Sequence, residues 1–304
     1  MAVLTMPRIY PIAFIFSIAL AVSAAVALGV YGLNFGVDFT GGSVLEVEFE
    51  NGRPEVAQMR ARFEESSNGY LHGLVLTPVD ERGLIIRSSD RSHMMHSGVW
   101  LTINQFWPES GVKQLSFDFV GPAIGNELKA KSIRAIIILI LVVVAYIAFV
   151  FRGMSRVLSP WAMGLAALLA LFHDLIIPMG VFAVLGKVSG VQITVVFVAA
   201  ILTVLGYSLS DTVVVFDRVR ENILKGTKEP FGRVVHQSVL QTLVRSLNTT
   251  LTTLAALVAI WLFGGETLRY FALALIIGIS LGSYSSIFVA SPVLVWLSRR
   301  RTGR

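Results

Sequence analysis

The chain has 304 residues, of which 14% are charged and 55% hydrophobic, with a mean hydropathy of +0.73. A typical soluble domain carries roughly 25% charged residues, so an ordinary water-soluble globule is excluded. With no cysteine, disulfide frameworks, thiolate catalysis, iron–sulfur clusters and Cys-ligated zinc are excluded together.

A transmembrane helix needs about 20 apolar residues. The first such stretch is Ile12–Val30. Arg8 before it and Ser23-Ala24-Ala25 inside it suit a secretory signal, yet about 19 apolar residues exceed the usual 7–15 of a signal core, so an uncleaved anchor is expected. From Tyr31 to Ser132 the composition turns soluble, and thirteen of the 19 acidic residues lie between Asp38 and Glu127. Val44–Glu50 alternates as a half-buried strand does. Pro54 opens a helix to Glu65 with Val56, Met59 and Phe63 on one face. Leu74–Val79 and Leu84–Arg87 read as a hairpin around Asp80-Glu81-Arg82-Gly83, Val99–Trp107 as a helix, and Leu115–Val120 as a strand. The order strand, helix, strand, strand, helix, strand is the split βαβ, ferredoxin-like pattern, with helices on one face of an antiparallel sheet.

Glu127 to Arg134 reads as a helix entering the second span. Further spans are Ile133–Phe151, Pro160–Leu185, Val191–Phe216, Leu247–Phe263 and Tyr270–Leu297. Phe231, Val234, Val235, Val239 and Val244 predict an amphipathic surface helix ahead of the fifth. The fold class is therefore a polytopic α-helical membrane protein of six transmembrane helices, with an α+β ferredoxin-like periplasmic domain between helices 1 and 2. Its parts are 1–32 with the first helix, 33–131 outside the membrane, and 132–304 with helices 2–6 and a basic tail.

Six spans put both termini on one side. That side holds Arg8, Arg152, Arg156, Arg218, Arg220, Lys225, Lys228, Arg233, Arg245, Arg299, Arg300, Arg301 and Arg304, whereas the opposite short connections hold only Lys187 and Arg269. Short loops rich in Lys and Arg resist translocation, which places both termini in the cytoplasm and 33–131 in the periplasm. The formal charge of +6 and pI near 9.8 then report topology, and no nucleic-acid partner is expected. Arg299–Arg301 read first as a stop signal for the last helix and second as a contact with membrane lipid.

Ionisable residues are costly in hydrocarbon, so Asp174 with neighbouring His173, Asp211, and Arg245 are functional candidates. Asp211 lies about one and a half turns inside the end marked by Asp217 and Arg218, and Tyr207 and Ser208 share its face. Arg245, Asn248, Thr249 and Thr252 draw one polar stripe on the fifth span. Antiparallel packing of spans four and five lets Asp211 meet Arg245, and a small change in their separation switches protonation. The competing view is a fixed ion pair that stabilises packing. Asp174 has no evident partner besides His173 and reads either as a bundle hydrogen bond or as a second ionisable site. Gly278, Gly282 and Ser286, four apart, let helices approach closely, within the bundle or against a partner.

No enzyme signature is present. There is no HExxH and no glycine-bracketed serine nucleophile. In Gly180–Lys187 five residues separate the glycines and Val188 stands where Ser or Thr should hold magnesium. No metal or cofactor is expected, and an ion gradient rather than ATP is the energy source on offer.

These residues carry a resemblance. Asn34-Phe35-Gly36-Val37-Asp38-Phe39-Thr40-Gly41-Gly42 resembles the DFTGG motif of the bacterial SecD and SecF proteins, and Val120-Gly121-Pro122-Ala123-Ile124-Gly125 is similar to their VGPxxG motif. Leu205-Gly206-Tyr207-Ser208-Leu209-Ser210-Asp211-Thr212 through Asn222 is close to the fourth-span signature of the SecF branch, although Ser210 stands where many relatives have Asn. Arg245-Ser246-Leu247-Asn248-Thr249-Thr250 and Phe263-Gly264-Gly265 match as well. The resemblance implies an accessory subunit of Sec protein export in the resistance-nodulation-division superfamily, located in the bacterial inner membrane. It implies pairing with SecD in a pseudo-symmetric unit on the SecYEG channel, often with YajC, and proton flow that helps move an unfolded translocating polypeptide. It places the family's proton-linked aspartate on Asp211 and its arginine on Arg245, and makes Asp38, Gly41 and Gly42 a structural junction, the glycines allowing a tight backbone. Two other readings are a proton-driven small-molecule exporter and an unpowered scaffold of the channel. An exporter needs a substrate pocket, for which about 100 external residues with two short helices leave little room.

Overall fold

In hydrocarbon an apolar stretch must satisfy every backbone N–H and C=O internally, which the α-helix does. The computed structural model describes residues 6–65, 71, 74–88, 94–152, 160–226, 229–264 and 266–302; Arg156, Lys228, Gly265 and Arg304 lie outside them. Its elements are α1 (Ile9–Tyr31), α2 (Val37–Thr40), β1 (Gly42–Phe49), α3 (Val56–Glu65), β2 (Val75–Val79), β3 (Gly83–Ser88), α4 (Met94–Phe106), β4 (Val112–Val120), α5 (Pro122–Val150), α6 (Pro160–Ser189), α7 (Val195–Leu224), α8 (Phe231–Phe263), α9 (Glu266–Ser285) and α10 (Ser291–Thr302). Among the described residues, six helices are long and apolar enough to cross a membrane: Ile9–Tyr31, Ala123–Val150, Trp161–Ser189, Val195–Leu224, Phe231–Phe263 and Leu268–Ser298.

The chain divides into two units, one of residues up to Asn34 together with Arg134 onward, the other Phe35–Ile133. In the second unit the four strands are ordered β2-β3-β1-β4 and every pair is antiparallel. Leu45 of the central β1 faces Ile86 on one side and Phe117 on the other. Alternation on β1 turns Leu45, Val47 and Phe49 inward, where they meet Met59 and Phe63 of α3 and Val99 and Ile103 of α4 in one core. Gly41 and Gly42 have φ of 75° and 131°, a region that side chains avoid and glycine enters freely. A Cβ on Gly125 would sit 3.0 Å from the Phe39 carbonyl oxygen and 3.1 Å from the Gly41 nitrogen. The two motifs quoted separately from the sequence are thus packed backbone to backbone.

In the helical unit two expectations are corrected. The amphipathic stretch and the fifth span are one unbroken 33-residue helix, α8. Val234, Val235 and Val239 are buried, but Val244 is exposed, because the buried stripe runs through Ser238, Thr242 and Ser246 instead. The sixth span is interrupted: between α9 and α10 lies a π-helical turn, Ser286–Ala290. Ser291 Oγ donates to the Ser286 carbonyl at 2.9 Å. Such single π turns widen a helix by one residue and recur at functional sites.

Small residues set the spacing. A Cβ on Gly278 would stand 2.3 Å from Val204 Cγ2, and one on Gly282 would stand 2.9 Å from Ser208 Cβ. The glycines of the sixth span therefore pack α9 against α7 inside this bundle.

Candidate functional site

Four helices bring side-chain oxygens into the centre of the bundle. Asp211 of α7 is 8% exposed. Ser246 Oγ of α8 donates a short hydrogen bond to its Oδ1, and its Oδ2 is buried with no hydrogen-bond partner among the described residues. A cavity of about 180 Å³ opens beside it, lined by Tyr207, Ser210, Asp211, Arg245, Ser246 and Thr249 together with Val214. That is far above the ~10–15 Å³ a water needs, and the lining supplies the polar partners a water requires.

Asp211 and Arg245 therefore share one cavity, but they form no ion pair among the described residues. Arg245 is exposed at the rim. Consecutive residues of a helix differ by about 100° around its axis, so Ser246 faces α7 while Arg245 turns aside. The predicted stripe on α8 is corrected in the same way. Arg245, Asn248, Thr249 and Thr252 are all exposed, and Thr249 and Thr252 donate to the Arg245 and Asn248 carbonyls at 3.1 and 2.8 Å. The inward stripe is Ser238, Thr242, Ser246 and Thr250. Its members are spaced by four residues, a pattern of small polar residues that the sequence displays but that charge-led reading passed over.

Tyr207 lines the Asp211 cavity, and its hydroxyl pairs with Thr250 Oγ1 at 3.1 Å. Ser208 was expected on the Asp211 face; it turns to Asp174 instead. Asp174 is wholly buried and has several partners. Its Oδ2 accepts from Ser208 at 2.5 Å and from Ser285 at 2.6 Å, and its Oδ1 lies 2.9 Å from His173 Nδ1. The His173 ring stacks on Tyr284 with centroids 6.4 Å apart, and its Nε2 is buried without a partner among the described residues. Next along α7, Thr212 bonds Ser286 at 2.9 Å. The π turn thus starts where Ser285 and Ser286 address Asp174 and Thr212 side by side. No group of three or more His, Asp or Glu able to hold a metal occurs among the described residues.

Residues 105–300 match the model of the C-terminal part of the SecD/SecF protein-export membrane proteins, and residues 26–52 match the SecD/SecF GG motif. The chain belongs to the SecD/SecF family. It is 38% identical over 298 residues to the protein translocase subunit SecF of Thermobaculum terrenum, covering 93% of this chain and 90% of that one. It is 37% identical over 284 residues to the SecF subunit of Anaerolinea thermophila, with the same coverage. Among solved structures, SecDF of Thermus thermophilus, a translocon-associated membrane protein, superposes with a TM-score of 0.82 at 32% identity, over 99% of this chain and 40% of that one. SecDF in its super-membrane-facing form gives 0.66 over 95% and 38%. The chain spans about two fifths of those SecDF chains and nine tenths of the SecF subunits. Like the SecF members of this family, it is a multi-pass bacterial membrane protein.

Proposed function

We propose that the protein is the SecF-type half of an accessory unit of the bacterial Sec translocase, which pairs with SecD and uses the proton gradient to promote export. One observation carries the reading: in a family of export proteins, a buried aspartate held by Ser246 lines, together with Arg245, Tyr207 and Thr249, a cavity that has room for water. A carboxyl so placed exchanges a proton with cavity water without first breaking an ion pair. Arg245 sits at the rim of that cavity, and Ser246 holds the carboxyl in place. Moving one charge across the membrane field supplies about 2.3 kcal/mol per 100 mV, enough to bias a two-state helix arrangement.

The polar strip of Arg245, Asn248, Thr249 and Thr252 supports the pairing. Left against lipid it is costly; covered by the SecD bundle it closes the Asp211 cavity. We assign the termini to the cytoplasm, residues 33–131 to the periplasm, and SecYEG with an unfolded polypeptide, and YajC in some assemblies, as further partners. The basic side chains on the termini side support that orientation.

The test is gradient-stimulated export in vesicles carrying SecYEG, SecD and this chain as wild type, Asp211→Asn, Arg245→Ala and the double variant. Loss of the stimulation in both single variants, with a non-additive double, is expected. Normal assembly with undiminished stimulation in Asp211→Asn leaves an unpowered scaffold as the answer.

A further inference from the structure

A second cavity lies between α1, α8 and α9, on the face of α8 adjoining the Ser246 stripe. It has a volume of about 510 Å³, and its lining includes Tyr10, His236, Leu243, Leu247, Leu254 and Tyr284. Ile9, Leu240, Leu247 and Leu251 along it are exposed, so it opens sideways from the bundle. On α8 it follows His236, Leu240, Leu243, Leu247, Leu251 and Leu254, spaced three and four apart as one helix face. Arg233, three residues ahead of His236, continues that face at its end, and Arg8 immediately precedes Ile9 on α1. Both arginines are exposed, and neither forms an ion pair with a described residue. The acidic residue nearest Arg233 in sequence, Glu229, is engaged by Gln237 at 3.0 Å.

We propose that this groove binds an anionic phospholipid from the leaflet on the termini side, one acyl chain along the leucine face and the phosphate between Arg8 and Arg233. Charge complementarity selects this occupant. The groove is apolar along its length and basic at one end. The helices α1 and α8 both begin at that end, so two positive dipole ends add to the two guanidinium groups. The Tyr10 hydroxyl lies 2.9 Å from His236 Nδ1 at the same mouth, a polar threshold where chain gives way to headgroup. A lipid held here packs along α8 beside the Ser246 stripe. Thr250 lines the groove and bonds Tyr207, which lines the Asp211 cavity. The site stands on its own geometry and does not depend on proton coupling at Asp211.

The test is native mass spectrometry of the full chain copurified with SecD, exposed to phosphatidylglycerol or phosphatidylcholine with identical acyl chains. Surface attraction of an anionic lipid amounts to roughly five-fold per guanidinium, so the wild type should retain phosphatidylglycerol about 25-fold over phosphatidylcholine. Arg8→Ala with Arg233→Ala should bring that ratio close to one, Arg8→Lys with Arg233→Lys should largely keep it, and Leu247→Trp, which fills the groove, should lower retention of both lipids. Equal retention by the wild type, an unchanged ratio in the double alanine variant, or retention indifferent to Leu247→Trp overturns the proposal. So does a wild-type complex that retains neither lipid, which is the outcome if a partner helix occupies the groove.

Discussion

Gly278→Ala isolates what holds α9 against α7. The added Cβ would lie 2.3 Å from Val204 Cγ2, 2.6 Å from Cγ1 and 3.0 Å from Cβ, whereas ordinary contact begins near 3.4 Å. The deficit at Cγ2 is 3.4 − 2.3 = 1.1 Å, and a valine on a helix has essentially one χ1 well. Rotation of Val204 exchanges one γ-carbon clash for another, so the helices must part. Overpacking of this kind costs about 1–3 kcal/mol. The separation also strains the paired hydrogen bonds that Ser208 of α7 and Ser285 of α9 donate to Asp174. The assay is reversible denaturation of the full chain in mixed micelles for wild type, Gly278→Ala, Val204→Ala and the double variant. The double should be more stable than the sum of the singles predicts, by about 0.5–3 kcal/mol, as for residues in direct contact. A Gly278→Ala protein as stable as wild type, or strictly additive effects, refutes the close approach of α7 and α9.

Asp174→Ala strips the acceptor from Ser208 and His173, while Ser285 keeps the Gly282 carbonyl, and each buried group left unpaired costs about 1–3 kcal/mol. The same denaturation assay should therefore show a loss of at least about 2 kcal/mol, with Asp174→Asn, which keeps an acceptor oxygen, losing less. Gly41→Ala forces a side chain into backbone at φ 75° and ψ 162°; it should lower stability by about 1–3 kcal/mol, read by hydrogen exchange of β1 amides. On the exposed sheet edge, the Lys113 ammonium holds the Glu50 carboxyl below its ordinary value of 4.5, and Glu50 holds Lys113 above 10.5. The carboxyl contributes stability that is full above 4.5 and fades as pH falls through its lowered native value. The ammonium contributes below 10.5 and fades as pH rises through its raised one. Carbon NMR of Glu50 should register a return to the ordinary value in Lys113→Ala.

The fold of the Phe35–Ile133 unit was legible because strand alternation in Val44–Glu50 and the turn at Asp80–Gly83 are local signals. The six spans were legible from apolar length. Element ends were less so: β4 begins at Val112 rather than Leu115, because pairing of β1 with Lys113 and Gln114 extends a polar stretch that has no apolar alternation. Asp211 was legible as a lone acid in a span. Its partner was not, since Ser246 beside an arginine draws no notice until packing decides which of two neighbours faces α7. The partners of Asp174 come from α7 and from the start of the π turn, and no periodicity predicts where a helix accommodates an extra residue. The tightness of Gly278 and Gly282 was legible as a four-residue repeat of small side chains; that they serve contacts within the bundle needed coordinates.

Proton flux tests the central claim most directly. With SecYEG, SecD and this chain reconstituted in vesicles loaded with a pH-sensitive dye, an imposed gradient should dissipate during export. Asp211→Asn should slow that dissipation at least about tenfold, the equivalent of roughly 1.4 kcal/mol on the barrier. Dissipation at the wild-type rate in fully assembled Asp211→Asn vesicles would contradict the account, because Asp211 would then lie off the proton's path.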